Sequence, residues 1–267
     1  MSERRLDGRV AIVTGSGSGI GRAIALRYGL EGARVVVAEI DPARAQRVTE
    51  TIVGDGGEAL AVTCDVSSER DCDRLFEATG ERFGTVDILV NNAGLVNTER
   101  HFLEGDSQWW QRIIDVNLTG VFNCSLRAAR LMAARHQGVI IALSSGGATR
   151  AHRGNAAYDA TKGGIEALVR AMALDLGPYG IRCCGLVPGS IDTSGMDEAA
   201  RAYRGETVPL GRVGDPDDLA GPAVFLASDD ARYVSGTMLV VDGGMLAQQR
   251  SPQVDIFPLS RYPGLNR

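Results

Sequence analysis

Tyr158 and Lys162 stand four residues apart in Tyr158-Asp159-Ala160-Thr161-Lys162, and among 28 lysines and arginines Lys162 is the only lysine. On a helix, positions i and i+4 share a face, so a phenol and an ammonium can reach one small volume. Lysine supplies a compact charge with three rotatable donors, where the arginine used everywhere else in this chain would bring a wide planar fork. A free tyrosine loses its proton near pH 10. Using it as a base at neutrality requires lowering that value by about three units, or about 4 kcal/mol. One cation about 4 Å away, at an effective dielectric of about 20, supplies roughly that much. The pair can therefore serve as an acid–base couple. The other reading is a solvated lysine and a half-buried tyrosine on an ordinary amphipathic helix.

A second stretch suits phosphate. Gly15, Gly19 and Gly21, in Thr14-Gly15-Ser16-Gly17-Ser18-Gly19-Ile20-Gly21, follow the apolar run Val10 to Val13 and open a helical pattern. Missing side chains let backbone approach a pyrophosphate while N–H groups at the helix start point at it. Ser16 and Ile20 are taken with this loop. Glu39 lies 18 residues after Gly21. There a carboxylate can accept from both ribose hydroxyls of an adenosine and would repel a 2′-phosphate, which favours NAD over NADP. A surface glutamate at a strand end is the alternative. Asp65 and Val66 could receive the adenine amino group and its apolar face. In Asn91-Asn92-Ala93-Gly94, the small residues Asn92, Ala93 and Gly94 leave room for a cofactor against the backbone.

These residues need a scaffold that holds them together. Short apolar runs predict strands over Val10 to Val13, Arg34 to Ala38, Ala59 to Thr63, Val86 to Val90, Gly138 to Leu143, Arg182 to Val187 and Met238 to Val241. Helical patterns lie between them: Arg22 to Leu30, Pro42 to about Val53, Ser67 to Phe83, Asp106 to Arg135 as one or two helices, Ala156 to Leu176, and Pro216 to Ala227. Such alternation predicts an α/β class, a single doubly wound Rossmann-type domain of about seven parallel strands with helices on both faces, over residues 6–246. A polar segment, 192–206, escapes the alternation at a strand's carboxyl end and is a candidate substrate loop. Residues 247–267 form an expected irregular C-terminal extension containing Pro252, Pro258 and Pro263.

Composition narrows the partners. The 267 residues carry a net charge of −5, which argues against nucleic acid and against a polybasic membrane binder. Five cysteines without C-x-x-C spacing, and three histidines with no two at ligand spacing, signal neither disulfide framework nor metal. The charged start, Met1 to Arg9, runs into four apolar residues, too few for a signal core or a membrane span. A cytoplasmic protein acting on a small molecule is expected.

The motif order TGSGSGIG, Glu39, CDV, NNAG, a serine thirteen residues before Y-x-x-x-K, PGSIDT and VDGG resembles the short-chain dehydrogenase/reductase family over residues 6–246. The resemblance implies that Ser145, Tyr158 and Lys162 are catalytic, with Asn117 completing a tetrad. It implies that Pro188, Gly189, Ile191 and Thr193 clasp the nicotinamide carboxamide, and that Tyr158 and Lys162 also touch the cofactor, NAD. A homotetramer is implied as well, with the helices over 106–135 and 156–176 crossing two-fold axes. In this family's terms Glu39 stands where NAD-preferring members usually have aspartate, and Ser18 where NADP-preferring members often have a basic residue. The activity expected is hydride transfer between NAD and a secondary alcohol or ketone. Arg150, His152 and Arg153, between Ser145 and Tyr158, suggest an anionic substrate such as a hydroxy acid, sugar acid or sulfonate; a solvated loop in an arginine-rich chain is the other reading. The alternatives are an NADPH-dependent 3-oxoacyl thioester reductase and a non-catalytic dinucleotide sensor on the same fold.

Overall fold

The run at Val10 to Val13 becomes β1 (Val10–Thr14), the first of seven strands in a computed structural model that describes residues 4–249. The others are β2 (Arg34–Glu39), β3 (Glu58–Thr63), β4 (Ile88–Asn91), β5 (Gly138–Leu143), β6 (Ile181–Pro188) and β7 (Met238–Val241). They form one parallel sheet in the order β3-β2-β1-β4-β5-β6-β7. The expected doubly wound Rossmann-type sheet is present. After β3 the chain reverses its direction across the sheet, so the carboxyl ends of β1 and β4 flank the crevice where such sheets bind ligands.

Alternate residues of each central strand feed opposite cores. Ala11, Val13, Val35 and Val37 point to one face, beneath helices α1 (Gly19–Leu30), α2 (Pro42–Gly54) and α8 (Asp217–Ala227). Val10, Ile12, Val36 and Ala38 point to the other, beneath α3 (Glu69–Phe83), α5 (Gly120–Ala133) and α6 (Ala156–Leu176). Burial on both sides is why these strands read as continuous apolar runs.

Several boundaries differ from the sequence reading, and the stretch expected as one or two helices is two. Helix α1 begins at Gly19, inside the glycine loop, so the loop's last amides belong to a helix start. β4 begins at Ile88 because the Asp87 carboxylate accepts from the Val10 N–H at 2.8 Å and pairs with Arg135. The stretch 106–135 divides into α4 (Ser107–Ile114), a widened π turn over Asp115–Thr119, and α5. The polar segment 192–206 is not all loop: Asp197 caps the helix α7 (Glu198–Gly205), accepting from the Ala200 N–H at 2.8 Å. Of the expected extension over 247–267, residues 250–267 lie outside the described residues. Among the described residues, no helix is long and apolar enough to cross a membrane.

Candidate active site

The glycine loop leaves β1 with Gly15 at φ +62° and enters α1 with Gly19 at φ +53°, left-handed conformations that cost glycine little. Its glycines also sit where a side chain would not fit. A Cβ on Gly15 would come 2.7 Å from the Ala93 Cα, and one on Gly17 would come 2.7 Å from the Glu39 Cγ. A Cβ on Gly21 would strike the Gly15 carbonyl and the Asn92 amide. The loop is laced to the end of β4. Thr14 Oγ1 accepts from the N–H groups of Asn92 and Ala93 at 3.0 and 3.1 Å, and Asn92 Nδ2 donates to the carbonyls of Thr14 and Gly15, both at 3.0 Å.

Above this lacing opens a cleft of about 820 Å³. Gly15, Gly19, Ile20, Glu39, Asp65, Val66, Asn92, Ala93, Gly94 and Thr193 line it, which brings ten of the predicted cofactor residues to one surface. Ser16 does not join them: it is fully buried, and its hydroxyl donates inward to the Val13 carbonyl at 2.7 Å. Gly21 is buried against the loop and acts through its smallness.

The carboxylate of Glu39 is itself in the loop's hydrogen-bonding scheme. It accepts from the N–H groups of Gly17, Ile40 and Asp41 at 2.9, 3.0 and 3.3 Å, and is 7% exposed. Asp65 is similarly held, accepting from the Ser67 N–H and hydroxyl at 2.9 and 2.7 Å. Arg44, which the sequence reading passed over, also lines this end of the cleft and pairs with Asp41 at 3.2 Å.

Ser145, Tyr158 and Lys162 converge at the carboxyl end of β5. Ser145 lies two residues beyond the strand, and Tyr158 and Lys162 share one face of α6. The Lys162 ammonium lies 5.4 Å from the centroid of the Tyr158 ring and donates to the Leu143 carbonyl at 2.8 Å. Burial pushes the lysine down to about 8. Burial also raises the Tyr158 phenol above its ordinary value, the Ser145 hydroxyl pulls it back, and the Asp159 carboxylate adds to the rise. The expected lowering of the phenol by Lys162 and by the positive nicotinamide is a matter for the loaded site; in the protein alone, burial sets the direction. The ammonium lies over the ring at 5.4 Å from its centroid, and desolvation of the phenol is the largest influence on it.

Asn117 sits buried in the π turn. Its Oδ1 accepts from the Leu95 N–H at 2.7 Å and its Nδ2 donates to the Leu95 carbonyl at 3.0 Å, so the side chain ties the π turn to the loop that follows β4. Pro188 ends β6, and Gly189 is pressed against Asp242, where a Cβ would come within 2.6 Å of its Cα. Ile191 lines a separate cavity of about 130 Å³ with Val208 and Leu210. Thr193 alone of this group reaches the main cleft, its methyl lying over Gly19.

Asp192 anchors the segment that Thr193 belongs to. Its carboxylate accepts from the N–H groups of Ser194, Gly195 and Met196 and from Arg201 at 2.7 Å; the Met196 amide leads the group that pulls it down to about 2.

The three cationic or titratable residues predicted to meet substrate have different fates. Arg150 is spent: its guanidinium donates to the carbonyls of Met245 and Leu246 at 3.0 and 2.6 Å. His152 pairs with Asp159 at 2.9 Å. Arg153 is exposed and makes no hydrogen bond or ion pair among the described residues.

A parallel sheet whose glycine-lined cleft opens at the switch point, with a Ser-Tyr-Lys cluster at the end of the neighbouring strand β5, is the architecture of the dinucleotide-binding α/β class. The family model for "Enoyl-(Acyl carrier protein) reductase" matches residues 15–246. The chain belongs to the short-chain dehydrogenase/reductase family. It is 42% identical over 254 residues to L-rhamnose 1-dehydrogenase (NAD(P)(+)) of Azotobacter vinelandii, covering 89% of this chain and 96% of that one. The structure of 7α-hydroxysteroid dehydrogenase with NADH and 7-oxo glycochenodeoxycholic acid superposes with a TM-score of 0.86 at 36% identity, covering 91% of this chain and 96% of the other. A gluconate 5-dehydrogenase from Burkholderia cenocepacia, in complex with NADP and tartrate, gives 0.86 at 35% identity, covering 92% and 98%.

Proposed function

We propose that the cleft takes a nicotinamide dinucleotide, NAD in preference to NADP, and that the protein moves a hydride between it and a secondary alcohol or ketone. The observation that carries this reading is the placement of the chain's single lysine, buried 5.4 Å from the Tyr158 ring and bonded to the strand that leads into Ser145, in a sheet whose first loop has glycines with no space for a Cβ. Bound there, the dinucleotide supplies the carbon that accepts or returns the hydride. Tyr158 takes the proton of the substrate hydroxyl, and Ser145 donates to the reacting oxygen and fixes its position. Because burial starts the phenol high, its use as a base needs cationic help from Lys162 and from the positive charge of the oxidised nicotinamide. Lys162 also holds the nicotinamide ribose. Asn117, whose amide pairs with Leu95, would hold a water that leads the proton from Lys162 to solvent.

NAD is favoured because the Glu39 carboxylate, held by three backbone amides, would meet a 2′-phosphate with like charge. Arg44 favours the second reading, NADPH-dependent reduction of a 3-oxoacyl thioester, since a guanidinium at that end of the cleft can pair with phosphate. The substrate is read as a hydroxylated small molecule, anionic if Arg153 engages it. A cytoplasmic homotetramer completes the reading, with the exposed side chains of Phe122 and Leu131 on α5 and Leu174 on α6 as apolar surface for it to cover.

The test is a screen of NAD and NADP reduction over secondary alcohols, sugars and hydroxy acids, with Tyr158→Phe alongside. Turnover with NAD that Tyr158→Phe abolishes is expected. Dinucleotide binding without turnover on any alcohol or ketone would point to the sensor.

A further inference from the structure

His152 grips one carboxylate twice. Its backbone N–H donates to Asp159 Oδ2 at 2.6 Å, and its ring Nδ1 lies 2.9 Å from Asp159 Oδ1. A carboxylate offers no proton, so Nδ1 must carry one, whether the ring is neutral or charged. The imidazole is thereby fixed in orientation by a side chain that is only 10% exposed, while its own side chain is 52% exposed.

The pair joins two halves of the reacting site. Asp159 follows Tyr158 directly on α6. On the other side stands Gly147, where a Cβ would fall on Asp159 Oδ1 and within 2.9 Å of His152 Nδ1. The Gly147 N–H donates to Ser145 Oγ at 3.2 Å. A continuous run of contacts therefore leads from the serine hydroxyl through Gly147 to the carboxylate beside the phenol. The rest of the loop is tied elsewhere: Arg150 to Met245 and Leu246, Gly154 to Arg100, and Asn155 to Thr98.

We propose that the His152–Asp159 pair is a clamp that sets Ser145 at its working distance from Tyr158, with His152 a positioning residue rather than a substrate ligand. The inference rests on the reading of Ser145 and Tyr158 as the reacting pair. It replaces the sequence expectation that His152 meets substrate. Displacing a catalytic group by about 1 Å can cost about a hundredfold in rate, so a clamp outside the cleft has leverage.

Steady-state kinetics on the intact protein, with the best alcohol from the screen and with dinucleotide binding measured separately, test it. His152→Ala and Asp159→Asn should each lower kcat by about ten- to a hundredfold with the KM for the alcohol and the affinity for dinucleotide unchanged. The double variant should be no slower than the slower single, because either change opens the same clamp. His152→Asn, whose amide nitrogen can stand where Nδ1 stands, should recover most of the lost kcat. The clamp is overturned if His152→Ala raises the KM for the alcohol at unchanged kcat, if the losses multiply in the double variant, or if the asparagine is as slow as the alanine. Should Asp159→Asn fail to fold, the two His152 variants decide alone, since a half-exposed ring is dispensable to the core. Tyr158→Phe separates the two failures. If it keeps turnover, the function and the clamp fall together; if it is inactive while His152→Ala runs at full rate, the clamp alone falls.

Discussion

The Lys162 ammonium donates to the Leu143 carbonyl at 2.8 Å, which stitches the helix bearing the phenol to the strand that leads into Ser145. The lysine titrates at about 8 in the folded protein, below its ordinary 10.5, so the native state gives up the proton first. Stability should therefore rise with pH between these two values, where the unfolded chain binds more protons. Relative to Lys162→Met, the wild type should gain about 2–4 kcal/mol from pH 7.5 to 10.5 in urea unfolding. A constant difference between the two proteins would contradict the buried charge.

Thr14 is the hinge pin of the cleft floor, because its hydroxyl accepts from two amides of the β4 end. Thr14→Val keeps the shape and leaves both N–H groups without that partner. A loss of about 2–4 kcal/mol in stability, with weaker dinucleotide binding, is expected from denaturant unfolding and calorimetry.

Glu39→Gln removes the charge that opposes a 2′-phosphate. The ratio of kcat/KM for NADP to that for NAD should rise by about tenfold, the effect of roughly 1.4 kcal/mol. Adding Arg44→Ala should reverse much of the rise if the guanidinium receives the phosphate.

Asp192, held near 2 chiefly by the Met196 amide, stays ionised through the ordinary pH range. Its anchoring contribution is present above its unfolded value near 4 and is lost as pH falls through about 2. At neutral pH, Asp192→Asn should speed hydrogen exchange at Ser194, Gly195 and Met196 and raise KM for the alcohol. Unchanged exchange would show that Arg201 and α7 hold the segment unaided.

Arg153 and Arg150 should behave differently despite their nearness. Turnover of a carboxylate substrate relative to its neutral analogue should fall in Arg153→Ala and hold in Arg150→Ala, whose guanidinium already serves Met245 and Leu246. Equal falls in the two variants would contradict this division.

The sheet was legible because parallel strands buried on both faces leave unbroken apolar runs such as Val35 to Ala38, and because strand–helix alternation implies parallel strands joined by crossovers; the order of the strands was not. The glycine cleft was legible from position as much as from composition. What escaped were bonds between distant residues. Nothing local marks Thr14 as the acceptor of an amide 78 residues away, or Arg150 as the partner of a carbonyl 95 residues on. The short helix α7 was missed for a different reason: its eight residues make barely two turns, too short a stretch for a helical period to stand out from a loop. The pairing of His152 with Asp159 lay within seven residues, yet a loop's path decides whether such neighbours meet.

A chain whose sole side-chain amine is 6% exposed has an unusual practical property. In the folded protein, acylating dyes, reductive methylation and amine-coupled sensor chips would find almost no lysine side chain to react with. Slow modification of Lys162, followed by peptide mass, would then act as a clock for opening of the reaction centre, and a bound dinucleotide should stop it.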